Sequence, residues 1–528
     1  MFRARRTAAI ACLTTLLAVL TPASASVADP ARTALGKSPV IQTIAGPLRG
    51  QATFEGRQFL GVPYAADPVG TLRWRPPQPH AAWKGVRDAT EFGPRCLQGT
   101  NPQQGTYTEN CLNLNVYTPA SPRRLPVMVW IHGGGMIQGG GKDYVADRFA
   151  ADGNVIVVTI NYRLGASGFL TLPGVQGNYG LLDQQAALRW VRANIARFGG
   201  DPHAVTIAGE SSGGRAVCTQ LASPTARGLF RAAISQSASY RDCAAIPVKS
   251  AETTGRAYAD ALGCTDTDSD AVLDCLRTKT PQELLTAQSG RGWGPIVGDR
   301  VLPRQPAETF AAGRQAKVPA LFGTTRTEGR YFDYFDFDGK GQPLTAEQYP
   351  RTMRDWFGEA IADEVLARYP LTGHPTPTLA HAAARGDRDY ACPTARVSRQ
   401  LAQGAPVYQY EFADVTGPPA ESLRNQNTDY DFGATHTNDL QYLFRHNGHE
   451  APFDAEEQQL SRQMIQYWSS FVAHGVPRAP GLPDMADQRV RPGEVTVLQT
   501  ASAGGPRPAG DFTAAHHCAL WDAVAATG

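Results

Sequence analysis

Six stretches of the chain are apolar over most of their length rather than alternating between apolar and polar residues. They are LPVMVWIH, NVIVVTINYR, AVTIAGES, RAAISQS, VPALFGTT and APVYQYEF. Continuous apolar runs are typical of strands that are buried on both faces, as in parallel sheets. The pattern therefore predicts a central, mostly parallel sheet.

The stretch LLDQQAALRWVRANIARFGG has the periodicity of a helix. Leu188, Val191, Ile195 and Phe198 recur at helical spacing, and two glycines close the segment. Strands separated by helical stretches indicate parallel strands joined by crossover helices. Because the sequence has neither an internal repeat nor a long linker, we predict a single α/β domain.

Composition and charge agree with a large soluble protein. The 528 residues are 42% hydrophobic and 19% charged, with a formal net charge of +2. A chain of this length can bury a large core. Its near-neutral charge does not suggest a polyanionic partner, so we expect no nucleic acid ligand.

The first 25 residues have the layout of a secretory signal peptide. Basic MFRARR precedes apolar TAAIACLTTLLAVL, and Ala23-Ser24-Ala25 offers a cleavage site. The alternative, a membrane anchor, is weaker because a spanning helix needs about 20 apolar residues. We therefore expect a secreted, extracellular protein without a stable membrane anchor, whose single domain covers residues 26–528.

Cysteine usage fits this location. Removal of the signal peptide removes Cys12 and leaves an even number, which in a secreted chain favours disulfides over free thiols. None of the remaining cysteines is spaced C-x-x-C, so we expect no structural zinc site. Composition alone does not choose their pairing. The cysteines are Cys96, Cys111, Cys218, Cys243, Cys264, Cys275, Cys392 and Cys518.

The segment AVTIAGESSGGRAVC carries the first catalytic pattern. Gly209-Glu210-Ser211-Ser212-Gly213 reads G-x-S-x-G between a predicted strand and a predicted helix. In a nucleophile elbow the serine occupies a strained strand-to-helix turn, and the helix N-terminus favours developing negative charge. A glycine-rich turn with incidental serines is the alternative, but the strand and helix on either side favour a nucleophilic Ser211.

A second glycine-rich run, HGGG at His132–Gly135, directly follows a predicted strand. In hydrolases such a run supplies backbone N–H groups that bind an oxyanion, together with the residue after the nucleophile. A phosphate-binding loop at Gly139–Lys142 is the rival interpretation. It fails because Asp143 stands where that loop needs serine or threonine.

Glu328 is the best-placed acid. It follows the strand VPALFGTT, and α/β sheets carry functional residues at the carboxyl ends of strands. Asp333, Asp336 and Asp338 lie beyond it, in what we predict to be a solvated, aromatic-rich loop near the pocket. DFDG faintly resembles a calcium loop but lacks the other ligands.

The candidate base is His436, in a loop after the strand APVYQYEF. His446 and His449 lie in the polar stretch RHNGHE, which we interpret as surface. His516 and His517 lie beside Cys518 near the C-terminus. Spacing alone does not exclude the other histidines that follow Glu328.

Two longer stretches bring these residues together in one family. FGGDPHAVTIAGESSGG resembles the serine-site signature of the type-B carboxylesterase/lipase family, and ENCLNLNVYTP is similar to its second signature. The resemblance extends through FLGVPYAADPVGTLRWRPPQP, WIHGGGMIQG, FGTTRTEG and GATHTNDLQYLF. It implies an α/β-hydrolase fold, in which helices flank a mostly parallel sheet with large loop insertions, and a secreted member of bacterial type.

The same resemblance implies a role for individual residues. It places a catalytic triad at Ser211, Glu328 and His436. The oxyanion hole falls on the N–H groups of Gly134, Gly135 and Ser212. Glu210 corresponds to an acidic residue that tunes the pocket, and Ser237 to a serine that supports the triad acid.

Disulfides are also implied by the resemblance: Cys96 with Cys111, Cys264 with Cys275, and Cys392 with Cys518. Cys218 and Cys243 remain, and we pair them by elimination.

The function implied is hydrolysis of carboxylic esters through an acyl-enzyme, with no cofactor and no metal. The expected substrate is a small-molecule or lipid-like ester. Two alternatives stay open: a lipase acting on longer-chain glycerides, and a catalytically silent cholinesterase-like binding protein. Because the triad residues are all present, the second alternative has less support.

Overall fold

The computed structural model describes residues 38–99, 107–426 and 429–527, and Lys37–Gly528 forms one compact unit. The predicted signal peptide lies outside the described residues. The strands are β1 Val40–Gln42, β2 Pro47–Arg49, β3 Gln51–Ala52, β4 Arg57–Pro63, β5 Arg87–Asp88, β6 Arg95–Cys96, β7 Tyr107–Thr108, β8 Asn113–Thr118, β9 Leu125–Ile131, β10 Tyr144–Val145, β11 Ile156–Ile160, β12 Gly200–Glu210, β13 Ala232–Gln236, β14 Ile246–Pro247, β15 Ile296–Val297, β16 Ala320–Thr325, β17 Val407–Phe412, β18 Arg445–His446, β19 Val495–Leu498 and β20 Arg507–Ala509.

Helices fill most of the connections between these strands. They are α1 Asp147–Gly153, α2 Gly165–Phe169, α3 Tyr179–Asn194, α4 Ser212–Ala222, α5 Tyr240–Cys243, α6 Val248–Ala261, α7 Ser269–Arg277, α8 Pro281–Gln288, α9 Pro306–Ala311, α10 Gly329–Asp336, α11 Tyr349–Phe357, α12 Ala362–Arg368, α13 Pro377–Gly386, α14 Cys392–Ala402, α15 Glu421–Arg424, α16 Leu440–Leu443, α17 Ala455–His474, α18 Phe512–Ala515 and α19 Cys518–Thr527.

One large sheet organises the molecule. Within the described residues it has eleven strands in the order β20-β19-β17-β16-β13-β12-β9-β11-β8-β4-β3. From β11 to β19 the neighbouring strands run parallel. At the edges β8, β4, β3 and β20 add antiparallel pairs. The sheet is therefore mostly parallel, as the apolar runs predict.

Both faces of the sheet are covered, which explains why its central strands are apolar throughout. Val127, Val129 and Ile131 of β9 pack into one hydrophobic layer, while Met128 and Trp130 pack into the other. Helices α3 and α4 contribute to the first layer, and α1 and α17 to the second. The fold is that of an α/β sheet between two helical layers.

One local prediction is wrong. The segment after Glu328, predicted as a solvated loop, is the helix α10. Asp333 is fully buried in it, where it contacts Nδ1 of His381 at 2.7 Å and accepts a hydrogen bond from Arg385. The aromatic residues of α10 recur at a spacing that turns one face of this helix toward the interior. Tyr331 and Phe332 nevertheless lie near the pocket, as expected.

The eight cysteines that follow the predicted signal peptide are joined in pairs. The disulfides are Cys96–Cys111, Cys218–Cys243, Cys264–Cys275 and Cys392–Cys518. Among the described residues, no helix has the length and apolar character needed to cross a membrane.

Candidate active site

Ser211 lies at the sharp turn between β12 and α4. Its backbone has φ 54° and ψ −127°, a strained conformation for a residue with a side chain. The glycines on either side are needed because the turn packs against the end of β9. A Cβ atom on Gly209 would lie 2.7 Å from the carbonyl oxygen of Ile131, and one on Gly213 only 2.0 Å from it. The G-x-S-x-G pattern is thus a steric requirement of this turn.

The HGGG run forms a second loop beside Ser211. Gly134 and Gly135 adopt positive φ angles of 101° and 66°, a region that favours glycine. The loop is held by the N–H of Met136, which donates to Ser212 Oγ at 3.2 Å. Tyr162 supports it by donating its hydroxyl to the carbonyl oxygen of His132 at 2.9 Å.

Three backbone N–H groups at this junction are unused. Within the described part of the chain, those of Gly134, Gly135 and Ser212 donate to no hydrogen bond. Ser212 also begins α4, so the positive end of the helix dipole lies here. Unpaired N–H groups beside a serine can stabilise negative charge on a neighbouring oxygen.

Glu328 and His436 are in direct contact. Glu328 follows β16, and its Oε2 lies 2.5 Å from His436 Nδ1. Its Oε1 accepts hydrogen bonds from Thr324 Oγ1 at 2.6 Å and from the N–H of Thr325 at 2.9 Å. Both Glu328 and His436 are almost completely buried, at 1% and 2% exposure. These contacts fix the orientation of the imidazole ring.

The other ring nitrogen of His436 faces Glu210. His436 Nε2 lies 3.3 Å from Glu210 Oε1. Ser211 precedes α4 directly after Glu210 and lines the same cavity as His436. In the described residues its hydroxyl makes no hydrogen bond of normal geometry. The hydrogen bond between a catalytic serine and its histidine is often long in a free enzyme and shortens when substrate binds.

Electrostatics couple the histidine to both carboxylates. Burial lowers the pKa of His436, but Glu210 and Glu328 raise it more, so that the pKa lies above its ordinary value. Burial raises the pKa of Glu210. Burial also acts to raise the pKa of Glu328, but His436 and hydrogen bonds lower it on balance. The imidazole therefore sits where a positive charge is stabilised.

Ser237 lies beneath this pair. It is fully buried at the end of β13, and its N–H donates to the carbonyl oxygen of Gly323. Its hydroxyl makes no hydrogen bond of ordinary geometry in the described residues, yet it is near enough to Glu328 to help lower the pKa of that carboxyl.

The cavity around these residues has a volume of about 800 Å³. Tyr331, Phe332 and Tyr390 surround the imidazole, with ring centroids 5.7, 4.9 and 5.2 Å from that of His436. Aromatic walls of this kind bind the apolar part of a ligand. His446, interpreted from the sequence as a surface residue, in fact lines this cavity and is part-buried.

Two residues near the site were missed by the sequence analysis. Asp439 is buried, and its Oδ2 accepts hydrogen bonds from Gln236 at 2.8 Å and Tyr410 at 3.3 Å. Arg215 lines the cavity from the first turn of α4. Asp439 follows His436 by three residues, and Arg215 follows Ser211 by four. Closeness in the sequence to a candidate triad residue was therefore the signal that could have found them.

Other candidates for the catalytic roles are engaged elsewhere. His516 is buried between Asp387 and Glu411, at 2.5 and 2.8 Å. Asp336 accepts a hydrogen bond from Arg385 at 2.7 Å. Among the residues that the structure describes, no group of three or more histidine, cysteine, aspartate or glutamate side chains is arranged to hold a metal ion.

Comparison with known proteins gives a consistent result. Residues 37–521 match the carboxylesterase family. The chain is 35% identical to human cocaine esterase over 461 residues, 80% of each chain. It is 35% identical to pyrethroid hydrolase Ces2e of Rattus norvegicus over 488 residues, 84% of each chain. A solved thermophilic PNB esterase superposes with a TM-score of 0.77 at 30% identity, covering 92% of this chain and all of that one.

The sheet and its flanking helices define an α/β-hydrolase. Within that class the chain belongs to the carboxylesterase family and is a carboxylic ester hydrolase.

Proposed function

We propose that the protein hydrolyses carboxylic esters through a Ser211–His436–Glu328 triad and an acyl-enzyme. The observation that carries this proposal is the 2.5 Å contact between Glu328 and His436, which lines the same cavity as Ser211. A serine hydroxyl is a weak nucleophile until a neighbouring base takes its proton. His436 is the histidine whose environment suits that task.

The first step forms the acyl-enzyme. His436 Nε2 takes the hydroxyl proton as Ser211 Oγ bonds to the ester carbonyl carbon, and the carbonyl oxygen becomes an oxyanion. The N–H groups of Gly134, Gly135 and Ser212 bind that oxyanion, each worth about 3 kcal/mol. Collapse of the intermediate breaks the bond to the alcohol oxygen, which receives the proton from His436.

The second step restores the enzyme. Water gives a proton to His436 as its oxygen attacks the acyl carbon, and Ser211 leaves with that proton. Throughout, Glu328 orients the ring and stabilises its charged form. Glu210 and Ser237 act through these groups: Glu210 stabilises the imidazolium, and Ser237 favours the charged form of the Glu328 carboxyl.

Replacement of the nucleophile tests this proposal. Ser211→Ala is expected to reduce kcat for a 4-nitrophenyl ester by about 10⁶-fold, the loss seen when a triad serine is removed. Ser250→Ala is the matched control, because it removes a hydroxyl from an exposed position on α6. Circular dichroism checks that both variants fold. Substantial turnover by the Ser211 variant would refute the assignment.

We also propose that the protein is secreted. The support is the layout of residues 1–25 together with the disulfides, which persist in oxidising compartments. N-terminal sequencing of the exported protein is expected to begin at Ser26. Retention of the enzyme in the cytoplasm with an intact N-terminus would contradict this.

A further inference from the structure

Arg215 is the unusual residue of the cavity. It stands four residues after Ser211, and its N–H donates to the carbonyl oxygen of Ser211 at 2.9 Å. Its side chain lines the same cavity as Ser211, and its guanidinium donates to the carbonyl oxygen of Ala244.

The other arginines of the cavity are paired with carboxylates. Arg385 binds Asp333 and Asp336 at 2.8 and 2.7 Å. Arg388 binds Asp389 at 2.8 Å, and the exposed Arg241 lies 3.9 Å from the same residue. Arg385 and Arg388 are thus compensated within the protein, while Arg241, which shares Asp389 with Arg388, is exposed to water.

Arg215 lacks such a partner. In the described part of the chain no carboxylate oxygen lies within 4.0 Å of its guanidinium. One nitrogen donates to the carbonyl oxygen of Ala244, and Nε is buried without a hydrogen-bond partner. Burial lowers the pKa of Arg215, because the charged guanidinium is less stable away from water. Arg215 is part-buried, and a charge partly removed from water without a counter-ion favours a ligand that supplies one.

We propose that Arg215 binds a carboxylate on the substrate, so that the enzyme prefers esters that carry a negative charge over neutral esters of the same size. The inference rests on the proposed function, because it places the charge in the cavity of Ser211. A carboxylate suits the site because guanidinium and carboxylate form two parallel hydrogen bonds. Aromatic residues such as Phe332 and Tyr390 also line the cavity, which suits the uncharged part of such a substrate.

The experiment compares matched pairs of esters. With the charge in the acyl half, 4-nitrophenyl hydrogen adipate is compared with 4-nitrophenyl hexanoate. With the charge in the alcohol half, 4-acetoxybenzoate is compared with 4-acetoxybenzamide. In one of the two pairs we expect kcat/KM of the wild type to favour the anion by about ten- to hundred-fold, the value of a charged hydrogen bond.

Variants assign the preference to Arg215. Arg215→Gln should lower the anion-to-neutral ratio to near one, and Arg215→Lys should recover part of it. Arg462→Gln removes the same charge from an exposed position on α17 and should leave the ratio unchanged. If Arg215→Gln does not fold, the wild-type ratio and the Lys variant still decide the question.

The outcomes separate this inference from the proposed function. Wild-type ratios near one in both pairs, or a ratio that survives Arg215→Gln, would overturn the inference. If hydrolysis of the hexanoate ester still depends on Ser211, the proposed function stands despite that result. Hydrolysis that survives Ser211→Ala would overturn the proposed function instead.

Discussion

At the scale of single residues, the assignment of Glu328 rather than a neighbouring aspartate makes a direct prediction. Glu328→Gln should lower kcat by about 10³- to 10⁴-fold, because the imidazole loses both its orienting acceptor and its counter-charge. Asp338→Asn is the matched control, since Asp338 follows Glu328 in the chain but is not among the carboxylates that contact His436. Steady-state kinetics on a 4-nitrophenyl ester measures both. Equal losses in the two variants would contradict the assignment.

The carboxylate of Glu210 makes a prediction about pH. Because Glu210 and Glu328 outweigh burial and raise the pKa of His436 to about 9, the acid limb of kcat/KM should lie above pH 6.5. Glu210→Gln removes a negative charge near Nε2, so the neutral imidazole is favoured and the limb should move to lower pH.

Glu421→Gln serves as the control for this pH experiment. Glu421 lines the same cavity, but its carboxylate is bound to His446 and Asn447. The acid limb of kcat/KM should lie at the same pH in this variant as in the wild type. A pH profile that is identical in the wild type and Glu210→Gln would show that Glu210 does not act on the base.

The sequence predicted these residues unequally. Ser211 could be found locally, because a strand, two glycines and a helix impose its turn. His436 could not be chosen by spacing alone, since its contact with Glu328 joins residues 108 positions apart. Arg215 was missed because only the folded cavity shows that no carboxylate pairs with its guanidinium.

At the scale of elements, the turn between β12 and α4 depends on its glycines. Gly213→Ala should destabilise the protein by about 1–3 kcal/mol or more, because its Cβ would overlap the carbonyl oxygen of Ile131. Gly373→Ala is the control, since no atom lies within 4 Å of the added Cβ and its φ is ordinary. Urea unfolding measures both. Equal midpoints would mean that the turn can relax around a side chain.

Elements were predictable where packing is uniform. The central strands are covered on both faces, so their apolar runs identified them. By contrast, α10 was taken for a loop because its aspartates alternate with aromatic residues. In the fold Asp333 is neutralised by Arg385, and this pairing between distant segments makes its burial possible.

At the scale of the whole molecule, His516 joins the C-terminal region to the sheet. It lies between Asp387 and Glu411, and these carboxylates overcome burial to raise its pKa to about 10. A histidine with a raised pKa stabilises the fold fully below its unfolded value near 6.5, and this contribution is lost as the pH rises toward 10. His516→Gln should therefore cost most stability below pH 6.5.

The measurement is the free energy of unfolding of wild type and His516→Gln from pH 6 to 10. The difference between them should shrink as the pH rises. His517→Gln, which changes the adjacent histidine, is the control. A difference that is constant over this range would show that His516 is not charged in the folded protein.

The proposed mechanism requires that Ser211 carries the acyl group. Its most direct test is mass spectrometry after reaction with a serine-directed fluorophosphonate, followed by trypsin digestion. We expect one adduct per chain, in the peptide of residues 198–215, with fragmentation that places it on Ser211 and with a proportional loss of esterase activity. An adduct on Ser212 or outside this peptide, or full activity in the labelled enzyme, would contradict it.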